Sequence, residues 1–233
     1  MDEESSPRAS YYNADPNLRK MSNKAFGIEN ESFMIIDKEV GSHTYSDLEW
    51  AVVRRVIHAT ADFDFARKEK IVFHRDAFTS AFKAIESGCH VVSDVDMVFS
   101  GINKQLIKEF SLKPLCRISD ISVINYSREN NMTRSRVAME FSAAQIQNGI
   151  VVIGNAPTAL LQVISMIREG RAKPSLLVGI PLGFVSALES KKELLHTHVP
   201  YITNVGRKGG SAAASSIINA LMLVYKSKIQ QKQ

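Results

Sequence analysis

The pattern of apolar residues predicts a regular alternation of strands and helices from about residue 46 onwards. Short runs that are apolar throughout are expected to form six strands, at residues 70–74, 89–94, 114–119, 149–155, 175–181 and 199–206. Continuous apolar runs are typical of parallel strands that are covered on both faces. The strict order of strand and helix therefore predicts a three-layer α/β/α domain with a doubly wound, mainly parallel sheet, flavodoxin-like in outline.

Helices are predicted between these strands from the spacing of apolar residues and from the signals at helix ends. They are expected at residues 46–58, 75–87, 103–110, 133–148, 157–170, 184–195 and 209–226. Ser46 and Glu49 have the spacing of a capping box at the start of the first helix. Gly88 stands where a left-handed residue ends the second. Thr133 is expected to cap one long helix that runs to Asn148.

Composition favours one cytoplasmic domain. The chain has 233 residues, of which 45% are hydrophobic, enough to bury a substantial core. The polar first 25 residues predict a flexible N-terminal arm, which leaves residues 26–233 as a single α/β domain. We find no apolar stretch of about 18 residues and no secretory signal, so we expect no membrane span. The spacing of Cys89 and Cys116 suits neither a metal site nor a disulfide framework.

The formal net charge of +5 narrows the possible ligands. The cations are scattered along the chain and not clustered with aromatic residues, which argues against nucleic-acid binding. Two interpretations stay open, a solvated basic surface and a site for an anionic small molecule.

In an open parallel sheet, ligands bind outside the carboxyl ends of the strands. Two predicted loops there, 154–159 and 204–211, lead into helix N-termini, whose unpaired N–H groups attract carboxylates and phosphates. The alternative for each loop is an ordinary capped turn. Neither loop matches a nucleotide-binding motif.

His58 ends the first predicted helix and is the candidate acid or base, since imidazole titrates near neutral pH. Arg55 lies three residues earlier, on the same helix face, where it could hold a substrate carboxylate. The alternative is a histidine that is merely hydrogen-bonded near a helix end.

Six segments together resemble the precorrin-8X methylmutase family, also called precorrin isomerase or cobalt-precorrin-8 methylmutase. They contain the motifs RxIHA, IGNAPTAL, GFVxAxESK and GRKGGS in this order, within residues 28–37, 53–62, 93–102, 151–163, 176–195 and 200–221. The resemblance covers nearly all of the chain from about residue 28 to 221. The first 25 or so residues fall outside it.

The resemblance implies an isomerase of cobalamin (vitamin B12) biosynthesis. Such an enzyme moves a methyl group from C11 to C12 of precorrin-8X or cobalt-precorrin-8, giving hydrogenobyrinate or cobyrinate, without a cofactor or metal. It also implies a homodimer, a corrin-ring tetrapyrrole as ligand, His58 as the proton donor and acceptor, and Ser32 and Arg55 as substrate-binding residues.

The predicted loops supply further candidate contacts for the carboxylates of such a ligand, namely Asp94, Arg117, Asn155, Thr158, Lys208 and Ser211. Two other functions stay open on the same fold. One is a non-catalytic tetrapyrrole carrier. The other is a flavodoxin-type domain that binds FMN, with phosphate at residues 154–159.

Overall fold

A computed structural model describes residues 23–231 of the chain, with side chains from residue 27. The predicted N-terminal arm lies almost entirely outside this range. Its last three residues belong to the first helix, which begins at Asn23. In the part of the chain that is described, no helix is both long and apolar enough to cross a membrane.

Six strands form one sheet. They are β1 (Ile71–Phe73), β2 (His90–Ser93), β3 (Lys113–Cys116), β4 (Ile150–Ile153), β5 (Leu176–Gly179) and β6 (Tyr201–Asn204). Five lie inside segments predicted to be strands, and β3 begins one residue before the predicted segment 114–119. The order across the sheet is β1-β6-β5-β4-β2-β3. Strands β2 to β6 are parallel in the flavodoxin-like order, and β1 pairs antiparallel with β6. The predicted fold class is confirmed.

The helices are α1 (Asn23–Val40), α2 (Asp47–Thr60), α3 (Ala77–Glu86), α4 (Asp96–Gly101), α5 (Lys104–Glu109), α6 (Ile121–Glu129), α7 (Arg134–Glu140), α8 (Ala143–Ile146), α9 (Pro157–Arg168), α10 (Ala187–Leu195) and α11 (Ser211–Gln230). A short 3₁₀ helix (Phe63–Ala66) follows α2. The sequence pattern did not predict α1, α4, α6 or the 3₁₀ helix.

Two predicted helices differ from the structure. The segment 133–148 is divided into α7 and α8. The Ser142 hydroxyl donates to the carbonyl of Ala138 at 2.7 Å, and bonds of this kind bend helices. The segment 184–195 becomes helical only at Ala187. Ser186, just before it, has a φ of 61°, and a left-handed residue cannot continue a right-handed helix.

Adjacent residues of the central strands face opposite layers. On β4, Val152 packs into a core formed with α1 to α5 and α11, whereas Val151 packs into a second core formed with α6 to α10. Both side chains are fully buried. This arrangement explains why the strands are apolar throughout, and it confirms the three-layer architecture.

Helix α2 is closed at both ends. The predicted capping box is present: the Ser46 N–H donates to Glu49 Oε2 at 2.8 Å, and the Ser46 hydroxyl accepts from the Glu49 N–H at 3.4 Å. At the other end Ala61 is left-handed and its N–H donates to the carbonyl of Ile57 at 2.7 Å. His58 is therefore held in the last turn of a well-defined helix.

Candidate functional site

The loops that follow the parallel strands meet at one edge of the sheet. The strand order reverses between β2 and β4, which lie side by side although β3 separates them along the chain. In folds of this kind the crevice at such a reversal binds the ligand. The loop residues predicted to contact a ligand follow β2, β3, β4 and β6, so they belong to this edge.

Asp94 lies at the reversal itself, and it is fully buried. Its carboxylate accepts the backbone N–H groups of Gly154 at 3.1 Å, Asn155 at 2.8 Å and Ala156 at 2.7 Å. Burial raises the pKa of this carboxyl, and the three N–H bonds oppose that shift. In this conformation Asp94 shapes the loop after β4 and has no exposed surface for a substrate, contrary to the expectation of a direct ligand contact.

The loop after β4 also touches the start of α11. A Cβ atom at Gly154 would lie 2.8 Å from the Ala214 Cβ and 3.0 Å from the Ser211 Cα, so only glycine allows this approach. Ser211 is buried in the first turn of α11, and Asn155 is exposed beside it. Asn155 therefore stands at the reversal as an accessible polar side chain.

Thr158 and Arg117 are each engaged with neighbouring residues. The Thr158 hydroxyl lies 3.0 Å from that of Thr133 and 2.9 Å from that of Ser135, which joins α9 to α7. Arg117 donates to Asp120 at 3.0 Å, and its buried Nε has no hydrogen-bond partner among the described residues. Arg117 follows β3, four strand spacings from β6, or about 19 Å across the sheet.

His58 is exposed in the last turn of α2, next to α1. The ring of Phe33 meets the imidazole edge-on, with 5.3 Å between centroids. The guanidinium groups of Arg54 and Arg55 lie over the same phenyl ring, at 4.4 and 5.1 Å. Arg55 also forms an ion pair with Glu29 at 2.8 Å. Residues of α1 thus fix the surroundings of the imidazole.

Ser32 lies next to Phe33 on α1, and its hydroxyl donates to the carbonyl of Ile28 at 2.8 Å within the helix. Ser32 is also three residues from Glu29, so it shares the face of α1 that meets Arg55. With His58, these residues belong to one surface formed by α1 and α2. The contribution of Phe33 was not foreseen, because the sequence pattern did not place a helix there.

Lys208 is the centre of a polar cluster at the carboxyl end of β6. Its ammonium group donates to both oxygens of Asp62, at 3.0 and 2.7 Å, and to Asp64 at 2.7 Å. These bonds raise the pKa of Lys208 above its usual range. Because Asp62 and Asp64 follow α2 directly, the cluster ties the end of that helix to the carboxyl edge of the sheet.

The buried Lys191 and the partly buried Glu69 hold the backbone of the same loop. Lys191 donates to the carbonyls of Gly206 at 2.8 Å and Lys208 at 2.5 Å. Glu69 accepts the Lys208 N–H at 3.3 Å, and an added Cβ on Gly206 would lie 1.8 Å from its carboxylate. The role of Lys191 was not predicted from the sequence. Its signal was its spacing with Ala187 and Leu194, which places a lysine on the buried face of α10.

The family model described as precorrin-8X methylmutase matches residues 27–224. The chain is 45% identical to cobalt-precorrin-8 methylmutases of Leptospira interrogans and Priestia megaterium, over 215 and 202 residues. These alignments cover 89% and 87% of this chain and 97% and 89% of the relatives. A crystal structure of a precorrin-8X methylmutase from Thermus thermophilus is similar, with a TM-score of 0.79 and 38% identity over 86% of this chain and 96% of the other.

Replacing Asp94 should destabilise the fold. Asp94→Asn puts an N–H group among three backbone donors, so we expect the free energy of unfolding to fall by about 2–4 kcal/mol in urea denaturation. Asp96→Asn, at an exposed position in the first turn of α4, is the control, with a loss below about 1 kcal/mol. Equal losses in the two variants would contradict the role given to Asp94.

Lys191 should make stability depend on pH. Burial lowers the pKa of Lys191 to about 8, whereas in the unfolded chain it stays at about 10.4. Between these values the unfolded state binds more protons, so the free energy of unfolding rises with pH.

Between pH 8 and 10, the free energy of unfolding of the wild type should therefore rise by on the order of 2 kcal/mol relative to that of Lys191→Met, measured by urea denaturation at each pH. Lys192→Met, at the exposed neighbouring position, should follow the wild-type pH profile. A constant difference between the wild type and Lys191→Met across this range would disprove the linkage.

Proposed function

We propose, since this chain belongs to the precorrin-8X methylmutase family, that it moves the methyl group from C11 to C12 of precorrin-8X or cobalt-precorrin-8, with His58 as proton donor and acceptor. The family matches confirm the resemblance in the sequence motifs and the class of enzyme, an intramolecular methyl-transferring isomerase of cobalamin biosynthesis. The products would be hydrogenobyrinate or cobyrinate.

The proposed role of His58 rests on one observation, which is its position compared with those of the other five histidines of the chain. His74, His90, His196 and His198 lie beside the amino ends of the parallel strands, opposite the ligand-binding edge. His43 stacks on the core residue Trp50, with 4.1 Å between ring centroids. His58 is exposed, and the turn that directly follows it binds Lys208 of the loop after β6.

The methyl shift requires few catalytic groups besides His58. A methyl shift within one molecule conserves all atoms: the bond to C11 breaks, the bond to C12 forms, and any proton given to the ring is taken back. Holding the ring in a reactive orientation and supplying one proton handler are the contributions that such a step needs. An exposed imidazole in a fixed helical turn supplies the second.

The remaining contacts follow from the charge of a carboxylate-rich ring. Arg55 would bind a substrate carboxylate in competition with Glu29, its ion-pair partner, and Ser32 lies on the same surface. Asn155, Ser211, Thr158 and Arg117 are proposed contacts at the strand ends. Asp94 would act indirectly, by shaping the loop after β4. We place the enzyme in the cytoplasm, where the free thiols of Cys89 and Cys116 are stable.

The two other functions considered from the sequence, a non-catalytic tetrapyrrole carrier and an FMN-binding domain, are disfavoured because the relatives are named methylmutases. Mixing the purified protein with FMN and with a corrin acid separates these functions. We expect a spectral change with the corrin acid and none with the flavin.

Replacing His58 tests the central role. His58→Ala should reduce turnover by at least about 100-fold, since it removes the proton handler, while the Kd for the corrin product stays within about twofold. Turnover is followed by the change in absorbance of the macrocycle. His74→Ala, at the opposite edge of the sheet, should behave like the wild type. Full turnover by His58→Ala would exclude the mechanism.

We also propose a homodimer. Phe184 and Val185, in the loop between β5 and α10, are 89% and 83% exposed, and exposed apolar side chains of this size mark interaction surfaces. Sedimentation equilibrium should therefore give twice the chain mass of 25.9 kDa. Phe184→Asp should shift the protein towards the monomer, whereas Glu189→Asp, at an exposed position of α10, should not. A monomeric wild type would refute the proposal.

A further inference from the structure

We propose that Lys208 is a positioning residue that fixes the end of α2, and with it His58, and that it is not a contact of the substrate. The inference rests on the proposed role of His58. It revises the expectation from the sequence, in which Lys208 was a candidate contact for a substrate carboxylate.

The ammonium group of Lys208 has no donor left for a ligand. A lysine carries three N–H bonds. The structure gives Lys208 Nζ three carboxylate oxygens, two from Asp62 at 3.0 and 2.7 Å and one from Asp64 at 2.7 Å. A substrate carboxylate could bind Nζ only by displacing one of these.

The charges around Lys208 also disfavour an anionic ligand. Two carboxylates, those of Asp62 and Asp64, bind its one ammonium group directly, so these three side chains together carry one net negative charge. Like charges in close contact repel each other, so an acidic ring is better bound elsewhere at this edge.

The backbone of Lys208 is as firmly held as its side chain. Its carbonyl accepts from Lys191 Nζ at 2.5 Å and from Asn204 Nδ2 at 3.0 Å, and its N–H donates to Glu69 at 3.3 Å. Lys191 and Asn204 are almost fully buried, so the anchor belongs to the core. Lys208 therefore joins the core to whatever its side chain binds.

The side chain of Lys208 binds the turn directly after His58. Ala61 ends α2 in the left-handed conformation, and the Asp62 carboxylate caps the 3₁₀ helix by accepting the Asp64 N–H at 3.0 Å. This turn starts about one helical turn beyond His58. With Phe33 packed against the imidazole from α1, Lys208 supplies the second constraint on the position of His58.

Steady-state kinetics on Lys208→Met, Lys208→Arg, Asp62→Asn and Asp64→Asn separate positioning from substrate binding. If Lys208 positions His58, kcat should fall about ten- to hundredfold in Lys208→Met, with KM within about twofold, because small displacements of a catalytic group have effects of this size. Asp62→Asn and Asp64→Asn should also lower kcat, and Lys208→Arg should restore part of it.

The double variant Lys208→Met/Asp64→Asn should be no slower than Lys208→Met alone, since both changes break one interaction. Arg168→Met removes an ion pair with Glu193 on the outer helices and should leave kcat and KM unchanged. If Lys208→Met fails to fold, Asp64→Asn, at a partly exposed position, still gives the answer.

A substrate contact predicts the opposite pattern. KM would rise about tenfold or more in Lys208→Met with kcat unchanged, and Asp64→Asn would lower KM by releasing the cation; either result overturns the inference. The catalytic role of His58 is tested separately by His58→Ala. If that variant is inactive while Lys208→Met alters only KM, the inference fails and the proposed function stands.

Discussion

A buried carboxylate joins the two halves of the sheet where the strand order reverses. Asp94 directly follows β2 and accepts three consecutive backbone N–H groups at the end of β4, so two strands far apart in sequence have their loops fixed together. Without this acceptor, the buried N–H of Gly154 and the partly buried N–H groups of Asn155 and Ala156 would lose their partner, which is costly. The position of the loop after β4 depends on this contact.

Close packing connects the loop after β4 to the helix that carries the proposed catalytic residue, His58. Gly154 lets the loop approach the first turn of α11, and α11 packs against α2 in the same core. The end of α2 is tied back to the sheet through Lys208 and its aspartates. An imidazole fixed in this way suits an isomerisation, in which orientation of one bound molecule contributes much of the rate.

The sequence predicted the strands, the layers and the capping box, because each depends on residues close together in the chain. It did not predict that β1 would pair antiparallel with β6, since a short apolar run carries no direction. Phe33 was missed because its contact with His58 depends on how two helices pack. The partners of Lys208 lie 146 and 144 residues away in the chain, so its spacing alone suggested a free cation.

A crystal structure of the protein with its corrin product bound tests the account most directly. We predict that the ring lies over the α1–α2 surface, with a His58 nitrogen within about 2.6–3.2 Å of the macrocycle, or one water away, beside C11 and C12. The Lys208 ammonium should still bind Asp62 and Asp64. A ring bound away from His58 would contradict the account.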